Sequence, residues 1–402
     1  MSSPPPGAPM SLRRSRLRAA SVLAVCLTAL SSATAGAATD PSGDPTRSGD
    51  RTLQRQLDDF VHRSGGPPGA IAVLRTEQGT RVVRAGVADV RTGRPPRPDD
   101  HMRIASTAKA FSGAVALTLV DRHALRLDDT LGKRLPRLPK AWRSVTLRQL
   151  LQHTSGLPDY SRSDGFLDEL RADPHHHFDS RRLLDYVADE PLLFEPGTQY
   201  RYSNSDNIAV ALMAEAATRT PYEDLLRELV YAPLRLHSTS LPQGYRMPRP
   251  YLHGYDVSSP GSPEDVSEVI GMSGVWASGG IVSTPADMTR FIRGYAGGRL
   301  YAPSVVEQQR QWVEGSSEPA GPGRNSAGLA VFRYETRCGV VLGHTGNTLG
   351  YTQLIAATPD GRRSLTFSVT AQITQSADAE KLRDMRAIQE NFVCALLHGK
   401  NQ

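Results

Sequence analysis

Lysine is scarce in this 402-residue chain: it stands only at positions 109, 133, 140, 381 and 400, against 42 Arg. Of the five, Lys109 alone has a Ser three residues earlier, in Ser106-Thr107-Ala108-Lys109. At the start of a helix, positions i and i+3 share a face, which puts the amine within reach of the hydroxyl. Arg could not do this work, because a guanidinium stays protonated. A desolvated Lys approaches neutrality and can take the proton of a nucleophilic Ser. The helix start would also present backbone N–H groups where negative charge develops. An N-capping Ser beside an unrelated surface Lys fits the same tetrad equally well, so the tetrad needs partners.

Two further clusters offer them. Tyr202-Ser203-Asn204 follows Glu195-Pro196-Gly197 and precedes a helical pattern. A phenol near an ammonium can serve as acid or base, and an Asn amide can hold both the Lys and a substrate carbonyl. His344-Thr345-Gly346 follows the strand-like run 339–343; Gly would let a substrate backbone lie against the strand edge, with Thr345 and His344 as polar contacts. Taken alone, the first cluster reads as an ordinary aromatic and turn Asn and the second as an ordinary strand end.

The elements that must position these residues are legible in outline. Leu53, Leu57, Phe60 and Val61 recur at helical spacing, and the runs 70–74 and 81–85 predict a hairpin around Glu77-Gln78-Gly79. A long helix is expected from Ser106, and residues 140–235 are mostly helical, with Pro and Gly breaks. After the Gly/Pro/Ser-rich span 254–280, a helix is expected at 286–295, strands at 339–343, 352–357 and 365–370, and a helix at 377–397. N- and C-terminal strands would then share one antiparallel sheet flanked by helices, with a mainly helical lobe beside it, an α/β (α+β) architecture. The domain spans 52–402, with the sheet region at about 52–105 and 270–402 and the helical region at about 106–269.

Residues 1–38 read as a secretory signal: Arg13, Arg14, Arg16 and Arg18, an apolar stretch from Ala19 to Leu30, then small residues before Thr39. Cys26 follows a bulky Val25, which disfavours lipidation, and Arg13-Arg14 permits a twin-arginine route. Residues 39–51 read as a flexible leader. Losing the four Arg takes the formal charge from +6 to +2, which leaves no basic face for nucleic acid. No permanent membrane span is expected. A secreted location outside the cytoplasmic membrane follows. Only Cys338 and Cys394 then remain, and an even number in an oxidising compartment predicts a disulfide, two buried thiols being the alternative. His175-His176-His177 lies on a polar loop where adjacent histidines rarely converge on one ion, so no metal is expected.

Ser-x-x-Lys early, Tyr-x-Asn in the middle and His-Thr-Gly late resemble the three motifs of the penicillin-recognising serine hydrolases, with a β-lactamase/transpeptidase-like fold. Leu150-Leu151-Gln152-His153-Thr154-Ser155-Gly156-Leu157 and Trp276-Ala277-Ser278-Gly279-Gly280-Ile281-Val282-Ser283-Thr284 are similar to the class C β-lactamase-like branch. His-Thr-Gly and the pair Cys338 and Cys394 resemble the secreted D-alanyl-D-alanine carboxypeptidases of that branch. The resemblance implies attack by Ser106, proton transfer shared by Lys109 and Tyr202, and an oxyanion between the N–H groups of Ser106 and Asn347. Asn204 would contact the substrate amide, and His344 and Thr345, on the Gly346 strand, its carboxylate side. Arg333 is close to where these carboxypeptidases carry a carboxylate-receiving Arg, but a neighbouring register would put Phe332 there. The expected function is D-alanine release from peptidoglycan stem peptides by a monomer without cofactor, inhibited by β-lactams. The alternatives are an esterase, a D-amino-acid peptidase or a class C-like β-lactamase, or, more remotely, a non-catalytic wall-peptide binding module.

Overall fold

The computed structural model describes residues 45–258 and 261–399; the signal-like stretch 1–38, with Cys26 and Arg13-Arg14, lies outside them. Twelve strands are formed: β1 (Gly69–Thr76), β2 (Gly79–Gly86), β3 (Met102–Arg103), β4 (Tyr255–Asp256), β5 (Glu264–Asp265), β6 (Val282–Ser283), β7 (Val313–Glu314), β8 (Arg324–Ala327), β9 (Phe332–Thr336), β10 (Gly339–Thr348), β11 (Tyr351–Ala357) and β12 (Ser364–Val369). Eight of them make one sheet in the order β2-β1-β12-β11-β10-β9-β8-β7. Every pairing in it is antiparallel. The N-terminal hairpin therefore joins the C-terminal strands, as the sequence leads one to expect, with Ala70 opposite Val369.

The central strands β1, β11 and β12 are buried almost throughout, so they read as continuous apolar runs rather than alternating ones. On one face Leu57 and Phe60 of the first helix meet Phe367, Phe392 and Leu396. On the other, helix Ala108–Asp121 packs Phe111 on Phe291 of helix Pro285–Ala296, ring centroids 3.6 Å apart. Burying a side chain of this size contributes roughly 1.5–3 kcal/mol. The first helix starts at Pro45, inside the stretch read as a leader. Proline suits a first helical position because its fixed φ is already helical and its missing N–H would have no partner there.

Cys338 and Cys394 form a disulfide that ties the turn before β10 to the last helix, Ala379–His398, across 56 residues. Reduction is expected to lower stability by roughly 2–4 kcal/mol. Urea unfolding with and without reductant checks this; coincident midpoints would show the bond to be structurally idle. Among the described residues no helix is long and apolar enough to cross a membrane.

Candidate active site

Ser106 sits in a single 3-10 turn, Ala105–Thr107, that runs into the helix carrying Lys109. Ala105 is held at φ +50, a left-handed conformation that costs a residue with a Cβ about 1–2 kcal/mol. Ser106 does not cap the helix: the N-cap is Thr107, whose side chain makes no capping bond. Lys109 is wholly buried, so the capping-Ser and surface-Lys reading of the tetrad fails on both counts.

Lys109 Nζ donates to three acceptors: Ser106 Oγ at 3.1 Å, Asn204 Oδ1 at 2.7 Å and the Ser278 carbonyl at 2.8 Å. Burial lowers its pKa from 10.5 to about 7, opposed chiefly by the charges of Asp159 and Glu318. Near neutral pH a substantial fraction of the amine is therefore unprotonated beside a hydroxyl. Ser278 acts through its backbone in the short helix Trp276–Gly279, which places the Trp276–Thr284 string inside the site. The Lys109 amine lies 5.0 Å from the Tyr202 ring centroid. The phenolic oxygen of Tyr202 is buried with no hydrogen-bond partner among the described residues. Burial raises its pKa well above 10, and the nearby Ser106 hydroxyl offsets that only in part.

The Leu150–Leu157 string forms the floor under Tyr202. A capping box between Thr146 and Gln149 starts helix Leu147–Leu151. The chain then turns through His153 at φ +57. His153 Nδ1 meets Asp206 Oδ2 at 2.7 Å, and Ser155 Oγ donates to the other oxygen of the same carboxyl group. Burial drives both partners toward neutrality, His153 down to about 3 and Asp206 well above its usual range. The pair thus carries little net charge while the His153 ring packs 4.5 Å from the Tyr202 ring.

The His-Thr-Gly residues lie within β10, which runs on to Thr348, and not after a strand that stops at 343. Strand β9 pairs only as far as Phe332 opposite Gly343, whereas β11 pairs through Thr348. Beyond Gly343 the β9 side of β10 is therefore without a strand partner among the described residues. A Cβ on Gly346 would lie 2.4 Å from the Ile104 carbonyl oxygen and 3.1 Å from the Thr107 nitrogen. Gly346 thus makes room for the Ser106 turn itself, a closer constraint than the substrate backbone expected there.

His344 is wholly buried, with Nδ1 2.6 Å from the Thr345 carbonyl oxygen and Nε2 unpartnered among the described residues. Burial takes its pKa down to about 3, so at neutral pH it brings no positive charge to a carboxylate. Thr345 Oγ1 donates to the Pro319 carbonyl at 2.6 Å, and Asn347 Nδ2 to the Ile373 carbonyl at 2.6 Å. Arg333 stands opposite Leu342 in β9 and bonds Glu335 at 3.0 Å. The position opposite Gly343 belongs to Phe332, edge-on to the His344 ring at 5.0 Å. The structure thus gathers Ser106, Lys109, Tyr202 and Asn204, sets the Gly346 segment against them, and commits Arg333 to an ion pair on its own strand.

Three features are poorly visible in sequence. Asp159 accepts from the backbone and side-chain nitrogens of Asn204 at 3.2 and 3.1 Å. Ser161 Oγ accepts from Asn204 Nδ2 at 2.9 Å. Residues 315–321 cross between β7 and β8, where Ser316 accepts the Tyr200 hydroxyl at 2.6 Å and Glu318 meets Arg162 at 3.4 Å. A recess of about 200 Å³ beside Tyr202 is lined by Asp159, Arg162, Arg201 and Glu318 among others. The three adjacent histidines diverge: His175 stacks on Tyr245, and His176 lies 3.5 Å from Glu169. Among the described residues no group of three or more His, Cys, Asp or Glu could hold a metal ion.

A family model described as Beta-lactamase matches residues 29–390. The chain belongs to this family. Over 296 residues this beta-lactamase family member is 26% identical to penicillin-binding protein 4* of Bacillus subtilis (strain 168), covering 70% of the chain and 63% of the relative. It thus spans less than two thirds of that protein's length. It is 28% identical over 309 residues to the D-alanyl-D-alanine-carboxypeptidase/endopeptidase AmpH of Escherichia coli (strain K12), covering 75% of the chain and 74% of AmpH. Among solved structures it is similar to a D-stereospecific amidohydrolase from Streptomyces sp., with a TM-score of 0.71 and 27% identity over 84% of this chain and 98% of that one. Its fold is also that of the D-amino acid amidase from Ochrobactrum anthropi SV3, with a TM-score of 0.78 at 23% identity over 88% of this chain and 100% of that one.

Proposed function

We propose that this chain is an exported serine D-alanyl-D-alanine carboxypeptidase that removes the terminal D-Ala of peptidoglycan stem peptides and is inhibited by β-lactams. The observation that carries the acyl-transfer part is the buried Lys109 amine, with a pKa of about 7, at 3.1 Å from Ser106 Oγ. In this reading Lys109 takes the proton of Ser106 as Oγ attacks the carbonyl carbon. The proton then passes from Lys109 through Tyr202, whose phenol gives one proton to the leaving amine as it takes one from the ammonium, so that both groups return to their starting states. The N–H groups of Ser106 and Asn347 receive the oxyanion, since Gly346 seats β10 directly on the Ser106 turn. Water then resolves the acyl-enzyme.

The D-Ala-D-Ala preference draws its support from the His344-Thr345-Gly346 motif and from the likeness to the D-alanyl-D-alanine-carboxypeptidase/endopeptidase AmpH. One observation favours a second reading, hydrolysis of D-amino-acid amides or peptides: Phe332 and not an Arg stands opposite Gly343, and Arg333 is committed to Glu335. D-Alanine release from a peptide ending in D-Ala-D-Ala, measured beside hydrolysis of D-phenylalanine amide, separates the two. The carboxypeptidase reading expects the peptide to be preferred at least tenfold in kcat/KM. Turnover of the amide with no D-alanine release would replace it by the second reading.

A further inference from the structure

Asn204 spends every hydrogen-bonding group of its amide inside the protein. Oδ1 accepts from Lys109 Nζ, and the two Nδ2 protons go to Asp159 Oδ2 and Ser161 Oγ. In this arrangement no side-chain N–H of Asn204 is left for a substrate carbonyl. An amide can exchange its two ends by a half-turn, but here the exchange is blocked. An ionised carboxylate only accepts and an ammonium only donates, so Asp159 fixes the NH2 end on its side and presents the oxygen to Lys109. Asp159 is itself well anchored: Oδ2 also accepts the Asn204 backbone N–H that opens helix Asn204–Thr218. Its Oδ1 accepts the N–H and the hydroxyl of Ser161 at 3.1 and 2.8 Å. A carboxylate at the start of a 15-residue helix also meets the positive end of the helix dipole.

We infer that Asp159 is a positioning residue that, through Asn204, fixes the Lys109 amine against Ser106, and that its negative charge sets how readily that amine gives up its proton. The inference rests on the reading of Lys109 as the base and deepens it.

The charged and titratable groups around Lys109 come from several elements: Asp159 from the turn after Pro158, Glu318 from the segment between β7 and β8, and Asp206 from the Asn204 helix. His153, Tyr202 and His344 also surround Lys109, and Arg162 Nε faces the Asp159 carboxylate at 3.8 Å. Asp206 is engaged by His153 and Ser155. Glu318 is 55% exposed and paired with Arg162. Asp159, with its side chain 9% exposed, is the one acid bonded directly to the Lys109 acceptor. Removing its charge withdraws support from the ammonium, so Lys109 should deprotonate at lower pH.

The test is the pH dependence of Ser106 acylation by nitrophenyl acetate, followed at the isosbestic wavelength of nitrophenol. Asp159→Asn keeps the size of the side chain but turns one acceptor into a donor. It is expected to lower the plateau rate at least tenfold and to move the acid limb down by about half a pH unit or more. Ser161→Ala removes an acceptor of the same amide without changing charge, and is expected to lower the rate with the limb in place. An unmoved limb or a full plateau rate in Asp159→Asn overturns the inference. Should that variant not fold, a full plateau rate in Ser161→Ala overturns it instead. A wild-type protein inert to the ester overturns it together with the role of Lys109. The probe is a plain ester, so a shifted limb without D-alanine release would leave this inference standing and remove the carboxypeptidase reading.

Discussion

Ser106→Ala is expected to abolish turnover of peptide, amide and ester substrates alike, by a factor on the order of 10⁴–10⁶. Among the described residues Ser106 Oγ is the one hydroxyl bonded to the buried amine, so no other nucleophile is placed to stand in for it. The exchange removes a single oxygen from a partly buried turn residue, so the thermal midpoint should hardly move. Steady-state rates beside a melting curve check both parts. Retained turnover would mean that the acyl group is not carried by Ser106, and a non-catalytic wall-peptide binding module would retain ligand binding in the variant.

Lys109→Arg should cost 10²–10⁴ in the acylation rate, the range typical of losing a general base. Arg keeps the positive charge and could still donate to Asn204 and to the Ser278 carbonyl, but it cannot release a proton at working pH. The pH profile separates this from simple misplacement. In the wild type the rate should rise with pH through about 7, because the amine must be unprotonated to act and that is where burial places its pKa. The variant should lack this limb at any rate it retains. Near-normal acylation with the limb intact would transfer the base role from Lys109 to another group.

The pairing of Ser106 with Lys109 was legible because lysine is so rare here that a single Ser-x-x-Lys spacing stood out, and that of Tyr202 and Asn204 because two chemically apt residues flank one position before a helix. The sheet was legible from the apolar runs at each end of the chain. Asp159 was not, since an Asp after Pro158 reads as an ordinary turn residue and its meaning depends on a helix start 45 positions later. Ser278 acts through its carbonyl, which any residue possesses, so no side-chain pattern could single it out. Gly346 was legible as a glycine needed for close approach, but the approaching chain proved to be Ile104–Thr107 and is set by tertiary packing. The role of Arg333 turned on a one-residue choice of register, which hydrophobic alternation alone does not decide in a strand reading Phe-Arg-Tyr-Glu-Thr.

The segment between β7 and β8 touches both walls of the site, through the Pro319 carbonyl on Thr345 and through Glu318 on Arg162. Two links reach the helical half, the Tyr200 hydroxyl on the Ser316 carbonyl at 2.6 Å and this ion pair, whose side chains are 55% and 64% exposed. A pair so open to water is worth about 0–1 kcal/mol and weakens as salt is added. Parting it therefore costs an incoming acyl chain less than one order of magnitude in affinity. With the Tyr200 bond left in place, the outer edge of the cleft is fastened between turnovers by this weak clasp, and the rate at which a substrate enters past it should follow ionic strength.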